Sequence, residues 1–360
     1  MLSEGAGTSW PLETRRGSSA IFRRLCILLG ARLNRSLLHG CSQGIKFGGQ
    51  PYDLTFRFSN DQRVTRERCT SLLPDSVAAR LTNSAFGRLP MSNFYRTPDD
   101  LLYNQPSAAR IYDYLLGGHH NFAVDLAAAA KLLSIAPDAR QIMWANRAFL
   151  RRGVTYLAEQ GVDQFLDIGS GIPTVGNVHE IAARINPDAR IVYVDIDPVA
   201  VTHSLAILDG RPNVTAIQAD ARNTRLVLDH PEVQRLLDFQ RPVAVLLVAL
   251  LHFVTDDPQA YRLVDDLRKT ISTGSYVAIS HSCPEDTPQD VVEQSGQLYA
   301  RTANPGKVRS RAEIARFFGG LEMVQPGLVY VPSWHPDGPD DLFLTEPARS
   351  CVLGGVGQKA

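Results

Sequence analysis

From residue 161 onward, apolar and polar positions fall into a regular rhythm. Short apolar runs broken off by Gly, Asp or Pro predict β-strands at 164–168, 190–194, 214–218, 243–249, 275–280, 321–331 and 351–356. Between them, apolar positions recurring every three to four residues predict helices at 175–185, 200–207, 231–237, 258–271, 288–300 and 311–318. Strict alternation of strand and helix is the pattern of a parallel sheet covered on both faces. The predicted fold is therefore α/β, a Rossmann-like doubly wound sheet of seven strands. The stretch 332–348, with four prolines and a run of acids, reads as a loop between the last two strands.

Upstream the rhythm is purely helical. Ala108, Ile111, Tyr112 and Leu115 stand at i, i+3, i+4 and i+7, one apolar helix face, and Gly117-Gly118 follows where a C-cap belongs. His119-His120-Asn121-Phe122 forms a polar junction, and helical patterns resume at 125–133 and 140–160. Three helices before the first strand predict a helical lid within 91–160, ahead of a ligand-binding domain at 161–360. Residues 1–90 hold no sustained period and are expected to be a disordered or non-native extension, with the functional protein starting at Met91. Within them, residues 20–30 read as a short basic amphipathic helix, and Arg32 cuts the apolar region too short for a signal peptide.

Lys+Arg and Asp+Glu balance at 37 each, but residues 1–90 carry 13 against 6, leaving 24 against 31 for residues 91–360. The patterned part is thus acidic, and no basic stretch interleaved with aromatics marks it for nucleic acid. The five cysteines are odd in number and never spaced C-x-x-C, which argues for reduced cytoplasmic thiols over a disulfide framework or a zinc knuckle. No apolar run approaches the roughly 20 residues that a spanning helix needs. A cytoplasmic protein with no nucleic-acid or membrane partner is expected.

The candidate chemistry sits at predicted strand ends. The first strand runs into Asp167-Ile168-Gly169-Ser170-Gly171, a strand, a tight glycine turn and a helix start, the usual cradle for a nucleotide-like ligand. Gly169 and Gly171, with Ser170 between them, let a ligand lie against the backbone. Asp167 restricts which ligand. A carboxylate here repels a pyrophosphate but suits S-adenosylmethionine (SAM), which carries a sulfonium, an ammonium and a ribose. The second strand ends at Asp195, placed to accept both ribose hydroxyls. Asp197 is the fallback, its main role read as helix capping ahead of Pro198. The third strand ends at Asp220-Ala221, a carboxylate and an amide suited to an adenine amino group and ring nitrogen. Turns favour Asp anyway; three acids at successive strand ends beside a double-glycine turn are specific. A nicotinamide-dependent oxidoreductase is disfavoured by Asp167 and by Pro173, which stands near that fingerprint's third glycine.

After the fourth strand, His252 is the candidate general base for an acceptor hydroxyl or amine, the alternative being a ring that lines the pocket. Asn121 and Arg147 are candidate lid contacts to cofactor or substrate, and His281 and Tyr299 candidate acceptor-pocket residues. His119 and His120 are not read as metal ligands, because neighbours point apart and no third ligand is spaced to join them. Ser310 and Glu313 stand at capping-box spacing.

These residues resemble the class I SAM-dependent methyltransferase core. More closely, the chain from about residue 97 resembles the largely actinobacterial S-adenosyl methyltransferase family first catalogued as a domain of unknown function. Carrying the resemblance are Pro106-Ser-Ala-Ala-Arg-Ile-Tyr-Asp-Tyr-Leu-Leu-Gly-Gly118, Asn121-Phe122 with Asp125, the run from Asn146-Arg147 to Arg152, and the run from Phe165 to Thr174. Asn177-Val-His-Glu180, Pro326-Gly-Leu-Val329 and Gly354-Gly355-Val356 match as well. The resemblance implies a SAM-binding fold and methyl transfer and leaves the acceptor open; residues 1–90 have no counterpart. The expected function is SAM-dependent methylation of a small molecule, in secondary metabolism, without a metal. The alternative is a non-catalytic SAM-binding regulator.

Overall fold

The computed structural model describes residues 45–47, 50–52 and 104–360, apart from 174, 175 and 209. Two compact units divide the chain, Met1–Pro90 and Met91–Ala360. In the first, Ile45–Phe47 and Gln50–Tyr52 pair as an antiparallel hairpin. The basic helix expected at 20–30, and the rest of the extension expected up to Met91, lie outside the described residues.

The second unit is built on one sheet: β1 (Gln164–Ile168), β2 (Arg190–Asp195), β3 (Val214–Gln218), β4 (Ala244–Val248), β5 (Tyr276–Ser282), β6 (Glu322–Met323), β7 (Val329–Tyr330) and β8 (Val352–Gln358). The order is β3-β2-β1-β4-β5-β8-β6, with β7 also paired to β8. The first five strands are parallel, and β8 runs antiparallel to its neighbours. Strand order reverses between β1 and β4, so a crevice opens at their carboxyl ends, the switch point where doubly wound sheets take ligands. The helices are α1 (Ala108–Leu115), α2 (Ala123–Ile135), α3 (Ala139–Glu159), α4 (Val178–Ala183), α5 (Pro198–Ile207), α6 (Thr224–Leu228), α7 (Pro231–Leu236), α8 (Asp257–Thr270), α9 (Gln289–Tyr299) and α10 (Arg311–Ala315).

Each parallel strand feeds two cores. Leu166, Val192 and Val245 pack with Leu263 and Leu267 of α8, while Phe165, Ile191 and Leu246 pack with Phe149 of α3 and Ile181 of α4. Adjacent residues thus serve opposite faces, which is why the runs read as continuously apolar. A small third cluster joins Ile111 and Leu115 of α1 to Ala129 and Leu132 of α2, with Leu298 and Tyr299 of α9 against it. Helix α1 ends as its sequence predicts: Gly117 takes φ +89°, its amide bonds Tyr114 O, and Gly118 N bonds Asp113 O, a Schellman closure.

One expectation fails. Residues 321–331 are not a single strand but the short β6 and β7, giving eight strand segments where seven were expected. Pro326 offers no N–H to a ladder, and Gly327 (φ +88°) closes a turn with its amide on Val324 O. The helix expected from residue 175 starts at Val178, behind Asn177, whose amide donates to Glu180 Oε2 in a capping box. No apolar period announces the five-residue α6, which Asn223 caps.

Candidate cofactor and acceptor site

The turn after β1 passes through Gly169 (φ +73°) and Gly171 (φ +65°). Val194 O at the end of β2 accepts from Gly169 N (2.8 Å) and Ser170 N (3.1 Å), so the turn is tied to the neighbouring strand. A side chain at Gly169 is excluded by its φ and by Leu250, whose Cδ1 would lie 2.6 Å from a Cβ there. That approach also sets the loop after β4 directly on the turn. At Gly171 nothing stands within 4 Å of a Cβ position, so this side is open to a ligand.

Asp195 is held ready. Gly171 N donates to its Oδ2 (2.7 Å) and Asp197 N to its Oδ1 (2.8 Å). The Ile196 amide bonds the carboxylate as well, so backbone amides orient an acid suited to accept from ribose hydroxyls. Burial pushes its pKa up to about 6, against the pull of those amides. Asp167 is 5 % exposed, and among the described residues no donor reaches its carboxylate. Burial pushes it up to about 7, while the charge of Arg147 draws it down. A cationic ligand beside it favours the ionised form. Arg147 itself reaches Asn177 Oδ1 at 3.4 Å.

The remaining predicted residues separate by position. Asp197 caps α5 as its sequence predicts, Oδ1 accepting from Val199 N with Pro198 following. Its Oδ2 accepts from Ser107 Oγ (2.7 Å) and Arg110 Nη1 (2.9 Å), so the start of α1 rests on it. Asp220 and Ala221 follow β3 at the sheet edge. Arg222 grips Asp220 through Nε and Nη2 and holds its carboxyl below the usual range. With Thr224, Gln259 and Asp266, Asp220 borders an open depression of about 600 Å³. Asn121 is not directed at these carboxylates: its Nδ2 donates to Asp113 Oδ2 (2.9 Å) and Gly118 O (3.1 Å), within the α1–α2 turn.

The loop after β4 begins at Ala249, which has φ +56°, uncommon for a residue with a Cβ. Its amide is anchored on Ser280 Oγ (2.9 Å) and O (3.2 Å). The 3-10 turn Leu251–Phe253 then presents His252. Burial, with His281 and Arg309 beside it, holds this imidazole well below its usual range, so it is neutral at pH 7. Its Nδ1 is buried without a hydrogen-bond partner, and among the described residues no carboxylate bonds it in the manner of a conventional orienting group. The ring of His281 lies 5.4 Å away. His281 Nδ1 donates to Ser282 O (2.8 Å) and Nε2 accepts from Arg309 (2.9 Å), since a carbonyl only accepts and a guanidinium only donates. Burial lowers its pKa to about 4. Tyr299 faces Phe253 with ring centroids 5.9 Å apart, and burial pushes its hydroxyl up to about 12.

Arg309 holds this loop together, a role nothing local in the sequence signals. Fully buried, it donates to Leu251 O (2.9 Å), Val254 O (2.7 Å) and Asp257 Oδ1 (2.9 Å). The helix start read at Ser310–Glu313 is present, with both capping-box bonds made; its neighbour Arg309 is bonded to a loop more than fifty residues earlier.

A sheet of this order, with a glycine turn after β1 and a pre-positioned acid after β2, defines a class I SAM-dependent methyltransferase. The chain belongs to the S-adenosyl methyltransferase family, which it matches over residues 96–360. It is similar to a protein from Thermobifida fusca YX described as a candidate methyltransferase, at 39% identity over 74% of this chain and 99% of that one, TM-score 0.67. It is also similar to a duf574 family protein from Streptomyces avermitilis MA-4680, at 38% identity over 72% and 100% of the two chains, TM-score 0.68. No curated protein matches. SAM is accordingly the methyl donor, and the residues fit it: Asp195 offers a carboxylate held by backbone amides to a ribose, and Asp167 offers a second carboxylate to a cation. Bound there, SAM supplies an electrophilic methyl group. Among the described residues, no helix is long and apolar enough to cross a membrane, and no group of three His, Cys, Asp or Glu is arranged to hold a metal.

Proposed function

We propose that this enzyme methylates a hydroxyl or amine of a small molecule, a modification of the kind met in secondary metabolism, in the cytoplasm and without a nucleic-acid or membrane partner. The packing of the N-terminal helices is the observation that supports the reading. Helix α1 is pinned to Asp197 through Ser107 and Arg110, and α9 packs Leu298 and Tyr299 against the lid cluster. Such a closed approach favours an acceptor that can be enclosed over a polymer that must lie across the surface. Methyl transfer needs the acceptor lone pair in line with the methyl group, so positioning and exclusion of water are what the chain chiefly supplies. Phe253 and Tyr299 form an aromatic wall beside His252, and the neutral imidazole accepts a hydrogen bond from the acceptor and takes its proton as the new bond forms.

The test is a screen of metabolite extracts with methyl-tritiated SAM and the purified protein. Label is expected in a small molecule; label confined to protein or nucleic acid overturns the acceptor class. With that acceptor in hand, His252→Ala is expected to slow transfer by about 10²-fold or more, the usual worth of a positioned base, with SAM affinity unchanged. Undiminished transfer removes His252 from the chemistry.

A further inference from the structure

Two buried polar networks leave α1 on different sides. Arg110, 1 % exposed, donates Nε to Asp125 Oδ2 (2.8 Å), Nη1 to Asp197 Oδ2 (2.9 Å) and Nη2 to Gln105 O (2.7 Å). Ser107 reinforces it, with its amide on Asp125 Oδ1 (2.9 Å) and its hydroxyl on Asp197 Oδ2 (2.7 Å). Asp197 in turn donates its amide to Asp195, the acid read as the ribose acceptor. Two positions along α1, on a different face, Tyr112 starts the second network. Its hydroxyl donates to Met143 O (3.2 Å) and accepts from Asn146 Nδ2 (3.0 Å). Asn146 Oδ1 accepts from Ser280 Oγ (2.6 Å), and Ser280 Oγ accepts from Ala249 N (2.9 Å). Ala249 is the left-handed residue that opens the His252 loop.

We propose that α1 is a positioning bar between the two halves of the site, in which Arg110 and Tyr112, as positioning residues, couple filling of the Asp195 site to the placement of the Ala249–His252 loop. The proposal rests on the SAM site described above. Apolar contacts alone let a lid slide. Each of these networks favours one position of the helix, because a displaced Arg110 takes its guanidinium from two buried carboxylates and a displaced Tyr112 takes the acceptor from Asn146 Nδ2. Neither residue needs to touch a ligand to act. A ligand that fixes Asp195 and Asp197 fixes the bar, and the bar fixes the loop.

Calorimetry with SAM on the full chain tests this, using Arg110→Lys, Ser107→Ala, Tyr112→Phe and the double variant Arg110→Lys/Tyr112→Phe. Each single change is expected to weaken SAM about tenfold, the loss when the competent lid is populated only about a tenth of the time. The double variant is expected to bind no worse than the weaker single, because either change frees the same bar. Hydrogen exchange gives the readout that a merely structural role does not move: SAM protects residues 249–254 in the native protein and fails to do so in Tyr112→Phe. Should Arg110→Lys not fold, Ser107→Ala stands in at the same end. Arg152→Gln, which loses bonds to Val331 and Trp334 carbonyls, controls for loss of stability alone. Losses that add in the double variant, or singles that bind as the native protein does, overturn the coupling and leave the SAM site standing. A native protein that binds no SAM overturns the site reading and the coupling with it.

Discussion

Burial of Asp167, a proposed cofactor residue, works against stability. Its folded pKa of about 7 lies above the ordinary value of 3.8 because it is buried. Between those values the native state keeps a proton that the unfolded chain has released, so stability falls as pH rises through that window and is lowest above it. Asp195, at about 6, acts in the same direction over a narrower range. Ligand-free protein is therefore expected to melt lower at pH 8 than at pH 5.5 on account of these two acids. Asp167→Asn should raise the ligand-free melting temperature at pH 8, flatten this pH dependence and weaken SAM binding; a variant that melts lower at pH 8 contradicts this account. Because a cation favours the ionised form, SAM should also raise the melting temperature more at pH 8 than at pH 6.

Among the elements, β8 is the least ordinary strand, and its glycines explain how it fits. A Cβ on Gly354 would stand 2.8 Å from Val331 Cγ1 and 2.9 Å from Phe149 Cε2, and one on Gly355 would stand 2.9 Å from Met323 Cε. Gly354→Ala is expected to cost about 1–3 kcal/mol through overpacking, read as a lower midpoint in urea with little change in slope. The parallel strands were legible because burial on both faces writes an unbroken apolar run, and β1 and β3 fall on their predicted boundaries. By contrast β6 and β7, two residues each, are too short to carry a period, and Pro326-Gly327 divides a run that looks continuous in hydropathy alone. In α1 the apolar face was readable, but the burial of Arg110 and Asp113 was not, since their partners lie outside the helix, for Arg110 as far away as Asp197.

For the whole molecule, the same distinction separates the two halves of the site. The proposed donor half comes from consecutive strand ends, so Asp167, Gly169, Gly171 and Asp195 stand within a short, recognisable stretch. The proposed acceptor half is assembled across the chain: Arg309 on Leu251, Asn146 on Ser280, Tyr299 beside Phe253. No local pattern records such pairings. At this scale the family match begins at residue 96 and the second compact unit at Met91. A protein comprising residues 91–360 is accordingly expected to bind SAM as the full chain does, within about twofold by calorimetry; a large loss would assign residues 1–90 a part in the site. The two halves meet where Leu250 lies against Gly169. A donor half that is conserved in chemistry can stay fixed while the acceptor loop diverges, so relatives with the same methyl donor can differ in what they modify. Variation at position 250 and in the loop beyond it is where a lineage would register a change of substrate.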